Sequence, residues 1–554
     1  MKASVPAAWY WRIKLIIIAP QDHTPVIVPG VDQSDQQSIV QIANRINDHF
    51  CSIASDLPPL DRNKLPAFLP VPDQCPQVEP LEVYRMLKTL NQRKSSITGD
   101  LPVRILREFA CELASPLANV LNASFQQGVV PHIWKCAEIV PIPKCQPPTL
   151  QNLRPIALTS YFAKIAESFM AKWVLEDISK HIDSNQFENR KGLSTNHYLI
   201  QLPHQILENA ELPKTISTLV FSDFSKAFDK IDHNVLVNKL LSMGVRPCLV
   251  SWIISFLEHR AQCVKYSGSM SNWNTIDAGV PQGTKLGPIL FLIMINDACE
   301  AAPIRYLKYV DDLTLIESRK LTQQPLMQDA LNDFSSWTGN NNMKLNPTKC
   351  CTMQVTFCKR PPPPEPLFID NVKLSVVTEA KILGIVVQAN LKWDSHILQV
   401  VKKCNRKLYM LRSLKRFHIP LIDLVTVYSG YIRPVLEYGT PVFNGALTKK
   451  QESQLETIQK RACKIMLGTS YSTYAEALVM CNIGTLLERR KKLCIDFAHS
   501  LEKNALVCNW LPQKPNIDHA LRSKKKYEMF KCKTKRFQDS SIPYLIRLLN
   551  SETS

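Results

Sequence analysis

The hydrophobic period along the chain changes several times, and each change marks an element. Leu81, Val83, Met86, Leu87 and Leu90 recur at mostly helical spacing, and a longer helical pattern covers residues 105–130. Residues 137–144 form a short extended run that ends in prolines, the pattern of a strand. Helical spacing resumes over residues 161–182. Thr218-Leu219-Val220-Phe221 predicts a compact strand running into Asp223, and residues 304–316 predict two short strands joined at Asp311-Asp312. Residues 361–364 are a proline run that suits a surface loop. From Ile397 the period is helical again, with Ile397, Val400, Val401, Cys404, Leu408 and Leu411 on one face. Lys402, Lys403, Arg406, Lys407 and Arg412 lie largely elsewhere on that helix. Before residue 75, Leu57-Pro58-Pro59-Leu60, Leu65-Pro66 and Leu69-Pro70-Val71-Pro72 predict an extended linker, with order beginning near Val78.

Composition narrows the class. A chain of 554 residues with 45% hydrophobic and 21% charged positions is long enough for several domains and too apolar for global disorder. Net charge is +19, and it is localised. Residues 401–554 hold 28 Lys/Arg against 12 Asp/Glu (+16), and the first 400 hold 39 against 36 (+3). Such an excess implies a polyanionic partner, and a helix lying along a phosphate backbone suits the basic stripe after Ile397 better than a merely solvated face. The 17 cysteines form no C-x-x-C pair and have no zinc-finger spacing, which in a chain this size suits reduced thiols inside the cell. The apolar run at residues 15–19 is too short to span a membrane and carries no clear cleavage site, so neither a signal peptide nor a membrane partner is expected.

Three blocks carry candidate chemistry. In Tyr309-Val310-Asp311-Asp312, two adjacent carboxylates sit between apolar runs, where they repel each other unless a cation intervenes. Read alone, the pair also suits an ordinary surface turn. Asp223, in Phe221-Ser222-Asp223-Phe224-Ser225-Lys226-Ala227-Phe228-Asp229, ends an apolar strand, where it is either a site carboxylate or a helix cap. Together, three aspartates at strand ends can hold two Mg²⁺ ions of the kind polymerases and nucleases use. The third block, residues 279–288, is a Gly/Pro turn entering an apolar helix, and Gly283 lets the backbone approach a ligand closely.

These blocks, in this order and spacing, resemble the palm of a reverse transcriptase, and their wording resembles non-LTR (LINE-type, jockey-like) retrotransposon polymerases. Further segments extend the resemblance. They are Ile142-Pro143-Lys144 with Asn152-Leu153-Arg154-Pro155-Ile156, Gln186-Phe187 with Arg190-Lys191-Gly192, and Lys344-Leu345-Asn346 with Lys349. Leu383-Gly384 with Trp393 and His396 resembles the primer grip, and Ile432-Arg433-Pro434-Val435-Leu436-Glu437-Tyr438 a segment beyond the thumb. Two places depart from the family: Glu188 stands where it usually has Gly, and the turn at residues 95–102 is altered.

The resemblance implies an α+β right-hand polymerase, with an antiparallel palm sheet, largely helical fingers and thumb, and a basic helical C-terminal region. Its expected divisions are a linker-like segment (1–75), fingers (76–215), palm with primer grip (216–396), thumb and helical extension (397–480) and the basic C-terminal region (481–554). It implies metal binding by Asp223, Asp311 and Asp312 and nucleotide binding by Lys144, Arg154, Phe228, Gln282, Gly283 and Lys349, with Phe228 as the bulky gate against a ribose 2′-hydroxyl. Lys402, Lys403, Arg406, Lys407 and Arg412 would meet nucleic acid. The implied activity is RNA-directed DNA polymerisation with two Mg²⁺ ions (Mn²⁺ as a substitute). The implied partners are an RNA template, above all the element's own RNA, a DNA primer or target, and dNTPs. The implied setting is a ribonucleoprotein of nucleus and cytoplasm. Neither an endonuclease ahead of the fingers nor a ribonuclease H block is expected in this chain. The rival expectation is an inactive or host-used remnant that only binds nucleic acid.

Overall fold

The computed structural model describes residues 36–66, 75–92, 95–512 and 526–552. The runs at residues 15–19 and 69–72 lie outside them. The centre is a five-stranded sheet in the order Ser375–Val376, Cys351–Thr356, Thr215–Ser222, Asp312–Lys320, Arg305–Tyr309. All its pairings are antiparallel except that of the short edge strand Ser375–Val376. This is the palm. Alternation sends Leu219, Leu307, Ile316, Met353 and Val355 into one core, and Val220, Leu313 and Leu315 into the other. The first of these cores is shared with the thumb and the C-terminal helices; the second runs into the fingers.

The fingers contain more sheet than expected. Cys136–Pro143 pairs antiparallel with Leu153–Leu158 and parallel with Arg260–Tyr266, a strand from within the range expected for the palm. The helical expectations fall on Pro80–Thr89, Ala110–Gln127, Tyr161–Ile178 and Gly287–Met294, and the shorter Val103–Glu108 precedes the second of these.

Order begins well before Val78. Gln36–Ser52 is a helix that buries Ile42, Ile46 and Phe50 against Ile139, Ala157 and Val264 of the fingers sheet. Its Asn47 Oδ1 accepts from Gln262 Nε2 at 2.9 Å. The prolines that follow form a strap, with Asn234 Nδ2 donating to Pro59 O at 3.1 Å and Asp56 paired with Lys230 and Lys344. The proline count masked this segment because its anchors are more than a hundred residues away in sequence.

Asp394–Arg416 is the long thumb helix, packed on Lys449–Leu467. The basic C-terminal region also turns inward: Ser541–Glu552 buries Ile542, Leu545, Ile546 and Leu549 in the palm–thumb core. Glu211, at the end of the helix Thr195–Ala210, accepts from the backbone and hydroxyl of Thr534. All 17 cysteines are free thiols. Among the described residues, no helix is long and apolar enough to cross a membrane.

Candidate active site

The strands bring the three aspartates to one end of the palm sheet. Ser222 pairs with Leu313 and Tyr309 with Asp312, so the register sets Asp223 directly across from Asp312. Two like charges in that relation are unfavourable. Burial raises the Asp312 pKa first, and the Asp311 and Asp223 charges add to it, to about 6. Asp311 is also raised, chiefly by burial and then by Asp223, while Arg154 and Lys144 draw it back. Both side chains are nonetheless open to solvent on the cleft side. The two-residue turn that carries the pair holds Val310 at φ 54°, a left-handed conformation in which a β-branched residue is strained. Strain of this kind gathers at functional sites.

Asp223 is fixed from behind. Its N–H donates to Cys350 Sγ at 3.3 Å, and its C=O accepts from Asn346 N at 2.8 Å. Its carboxylate Oδ2 has no hydrogen-bond partner, and Lys349 Nζ stands 3.5 Å from it. Among the described residues, no three Asp, Glu, His or Cys side chains converge as a ready-made metal cage.

The residues expected to bind nucleotide gather around the same cleft. Lys144 and Arg154 are exposed at neighbouring positions of the first hairpin, where Lys144 N donates to Asn152 O at 2.7 Å and Arg154 pairs with Ile142. Gln282 O accepts from Ala157 N at 2.7 Å, which joins the Gly/Pro turn to the fingers sheet. Gly283 has φ 111°, and a Cβ there would lie 2.8 Å from Ala157 O, so no larger residue fits this close approach. Phe228 is stacked on Phe291, with ring centroids 4.7 Å apart.

Two residues of the Asp223 block that were given no role also belong to the cleft. Gln282 Nε2 donates to Asp229 Oδ1 at 2.8 Å, and burial holds the Asp229 carboxyl above its ordinary value. Lys226, at φ 53°, is lowered first by burial, with Lys144 and Lys349 adding to the shift and Asp229 opposing it. The signal was proximity in sequence, since both lie within six residues of Asp223. Glu188 lies against Tyr309, where it helps burial raise the phenol pKa; it is a neighbour of the aspartate hairpin.

The thumb residues divide. Lys402, Lys403 and Arg406 line a groove of about 750 Å³ with Lys381, Gly384 and Tyr438 of the primer-grip side. The Tyr438 hydroxyl donates to Leu383 O at 2.7 Å, which ties that hairpin to the thumb. Lys407 is spent inside the protein: its Nζ donates to Tyr431 O at 2.9 Å and lies 3.3 Å from the Tyr431 ring centroid. Arg412 is exposed but does not line the groove.

Residues 142–387 match the family described as reverse transcriptase (RNA-dependent DNA polymerase). Over 475 residues the chain is 26% identical to a probable RNA-directed DNA polymerase from transposon BS of Drosophila melanogaster, covering 82% of this chain and 52% of that protein. Over 406 residues it is 27% identical to the RNA-directed DNA polymerase from mobile element jockey of the same organism, covering 70% and 44%. The chain thus spans about half the length of the curated relatives it matches. Among solved structures it is similar to telomerase from Candida Tropicalis in complex with a TWJ fragment of telomeric RNA, at 12% identity and a TM-score of 0.35, covering 71% of this chain and 65% of that one. Residues 142–387 thus carry a match to the reverse transcriptases, and the chain is similar to polymerases of the BS, jockey and X-element mobile elements, of the LINE-type, non-LTR kind that its motifs resemble.

Proposed function

We propose that the protein is an RNA-directed DNA polymerase, adding dNTPs to the 3′-hydroxyl of a DNA primer on an RNA template. The observation that carries this is the meeting of Asp223, Asp311 and Asp312 at one strand end, where burial and the neighbouring carboxylates push Asp312 up to about 6. Polymerases of this family use a divalent metal, and the donor set here fits Mg²⁺. It offers hard carboxylate oxygens from three aspartates, which suits an ion that takes part of its shell from water and substrate phosphates. When bound, two such ions supply the charge neutralisation and activation of the attacking hydroxyl used in phosphoryl transfer.

The chain's own residues do the rest. Lys144 and Arg154 hold the triphosphate from the fingers and offset charge that develops on it. Gln282 and Gly283 form the floor beneath the sugar and base. Phe228, pinned by Phe291, cannot swing aside and so walls off a 2′-hydroxyl. Lys349, poised beside Asp223, gives a proton to the departing pyrophosphate. Lys402, Lys403 and Arg406 carry the template–primer backbone. In this reading residues 36–52 join the fingers (76–215), and the palm (216–396) and thumb (397–480) are braced by residues 481–512 and 526–552 of the C-terminal region (481–554). The element's own RNA is the template, carried as a ribonucleoprotein from cytoplasm to nuclear DNA.

The rival is a relic that binds RNA without extending primers. It draws on Lys349, whose ammonium already neutralises Asp223. The deciding experiment is dTTP incorporation on poly(rA)/oligo(dT) with Mg²⁺, beside the Asp312→Ala protein. Incorporation that the variant loses supports the polymerase; a folded, RNA-binding wild type that incorporates nothing supports the relic.

A further inference from the structure

A second basic concavity lies at the far end of the palm. Cys351 pairs with Phe221, beside Asp223, whereas Phe357 follows the opposite end of that strand, roughly 20 Å further along at the usual rise. There Phe357 lines a cavity of about 800 Å³ between the base of the thumb and the C-terminal segment.

Three helices begin at this cavity. Asp394–Arg416 opens on it through Trp393 and Asp394, Lys449–Leu467 through Thr448 and Lys450, and Ser541–Glu552 through Ser540 and Ser541. Each N-terminus presents the positive end of a helix dipole. Lys392, Lys450, Lys535 and Arg536 add four cationic side chains, all exposed. Of the two acids of the lining, Asp539 pairs with Arg547 at 3.3 Å, and Asp394, whose Oδ1 accepts from Gln451 Nε2 at 2.8 Å, sets one negative charge against the four cations. Among the described residues, Lys392, Lys450 and Lys535 form no ion pair. His204, nine-tenths buried, adds its ring to the lining, packed against Phe530 and Phe537.

We propose that this cavity is a second nucleic-acid site, which grips a single-stranded stretch of RNA outside the polymerase cleft. Convergent dipoles and lysines suit phosphodiesters. The Arg536 guanidinium lies over the Phe357 ring, 3.4 Å from its centroid, and guanidinium planes and aromatic rings are groups on which unpaired bases stack. A lone phosphate would leave most of the cations unused. The site does not depend on catalysis in the cleft.

The test is fluorescence anisotropy of the full chain with a labelled short oligo(U), across a salt series. An excess of unlabelled hairpin template–primer fills the cleft. Wild type is set beside Lys450→Glu/Lys535→Glu, with thermal melting to check the fold. The double variant is expected to bind about tenfold more weakly, and its slope of log affinity against log salt to shrink by about 1.4, as for two lost single-strand phosphate contacts. Primer extension on the hairpin stays within about twofold where the wild type extends, and binding reads the site even where it does not. Unchanged affinity and slope overturn the proposal. So does competition by poly-glutamate as strong as that by RNA, which makes this an acidic-peptide site. If the double variant fails to melt cooperatively, the single exposed change Lys392→Gln carries the test, with a slope loss of about 0.7.

Discussion

Lys308 and Asp311 stand three residues apart on one hairpin, and their charges meet opposite treatment. Lys308 is fully buried, yet it is paired with Asp183 at 2.8 Å and donates to Ile295 O and Asn296 O at 3.2 and 2.7 Å. Asp311 and Asp312 reach the cleft, where burial and neighbouring carboxylates raise both and, among the described residues, neither forms an ion pair. The fold satisfies the first charge and leaves the second pair in debt to something that binds. The thumb repeats the contrast within five residues, since Lys407 is closed on Tyr431 while Lys402, Lys403 and Arg406 line the groove. Charge alone therefore does not pick out the candidate sites in this protein; charge left open at a cleft or groove does.

The contrast can be broken most sharply in the cleft. Asp223→Asn and Asp312→Ala are expected to lower dNTP incorporation by about a thousandfold or more, about 4 kcal/mol of transition-state stabilisation, with the far-ultraviolet dichroism unchanged. A folded variant that keeps a tenth of wild-type incorporation would remove these carboxylates from the chemistry. Beneath them, Lys308→Met strands Asp183 as an uncompensated charge, and urea unfolding should record a loss of about 3–5 kcal/mol. Adding Asp183→Leu to it should restore much of that, because the pair is then replaced by apolar packing.

On the thumb, Lys402→Ala/Lys403→Ala/Arg406→Ala should flatten the salt dependence of template–primer binding by about two to three units of slope. Lys407→Ala should leave that slope unchanged and lower the melting temperature. An equal slope change in both proteins would erase the distinction between open and closed cations.

The smallest effect concerns Asp312 itself. Its folded pKa, about 6, lies above the ordinary carboxylate value, so the folded chain holds a proton that the unfolded chain releases. The stability tied to that proton is complete below about pH 4 and lost as pH rises through about 6. In metal-free buffer at pH 7, Asp312→Asn should therefore stabilise the protein, by about 1 kcal/mol after solvent screening of this exposed group. The gain should vanish near pH 4 and shrink when Mg²⁺ is added. A variant no more stable than wild type at pH 7 would mean that the carboxylates are not in conflict.

The sequence by itself determined the local elements and the chemistry set along them. Strand periods ending at Asp223 and flanking Asp311-Asp312, the Gly/Pro turn at Gln282-Gly283 and the helix after Ile397 all rest on neighbours within a few residues. Only the tertiary structure decided which of those charges stay open. Asn47 meets Gln262 across 215 residues, and Glu211 meets Thr534 across 323, so neither the ordered N-terminal helix nor the inward C-terminal segment is legible from a local pattern. The same holds for Lys308 and Lys407. A lysine reads alike in any sequence window, and whether it finds a carbonyl, a ring or a phosphate depends on which distant segment packing brings beside it.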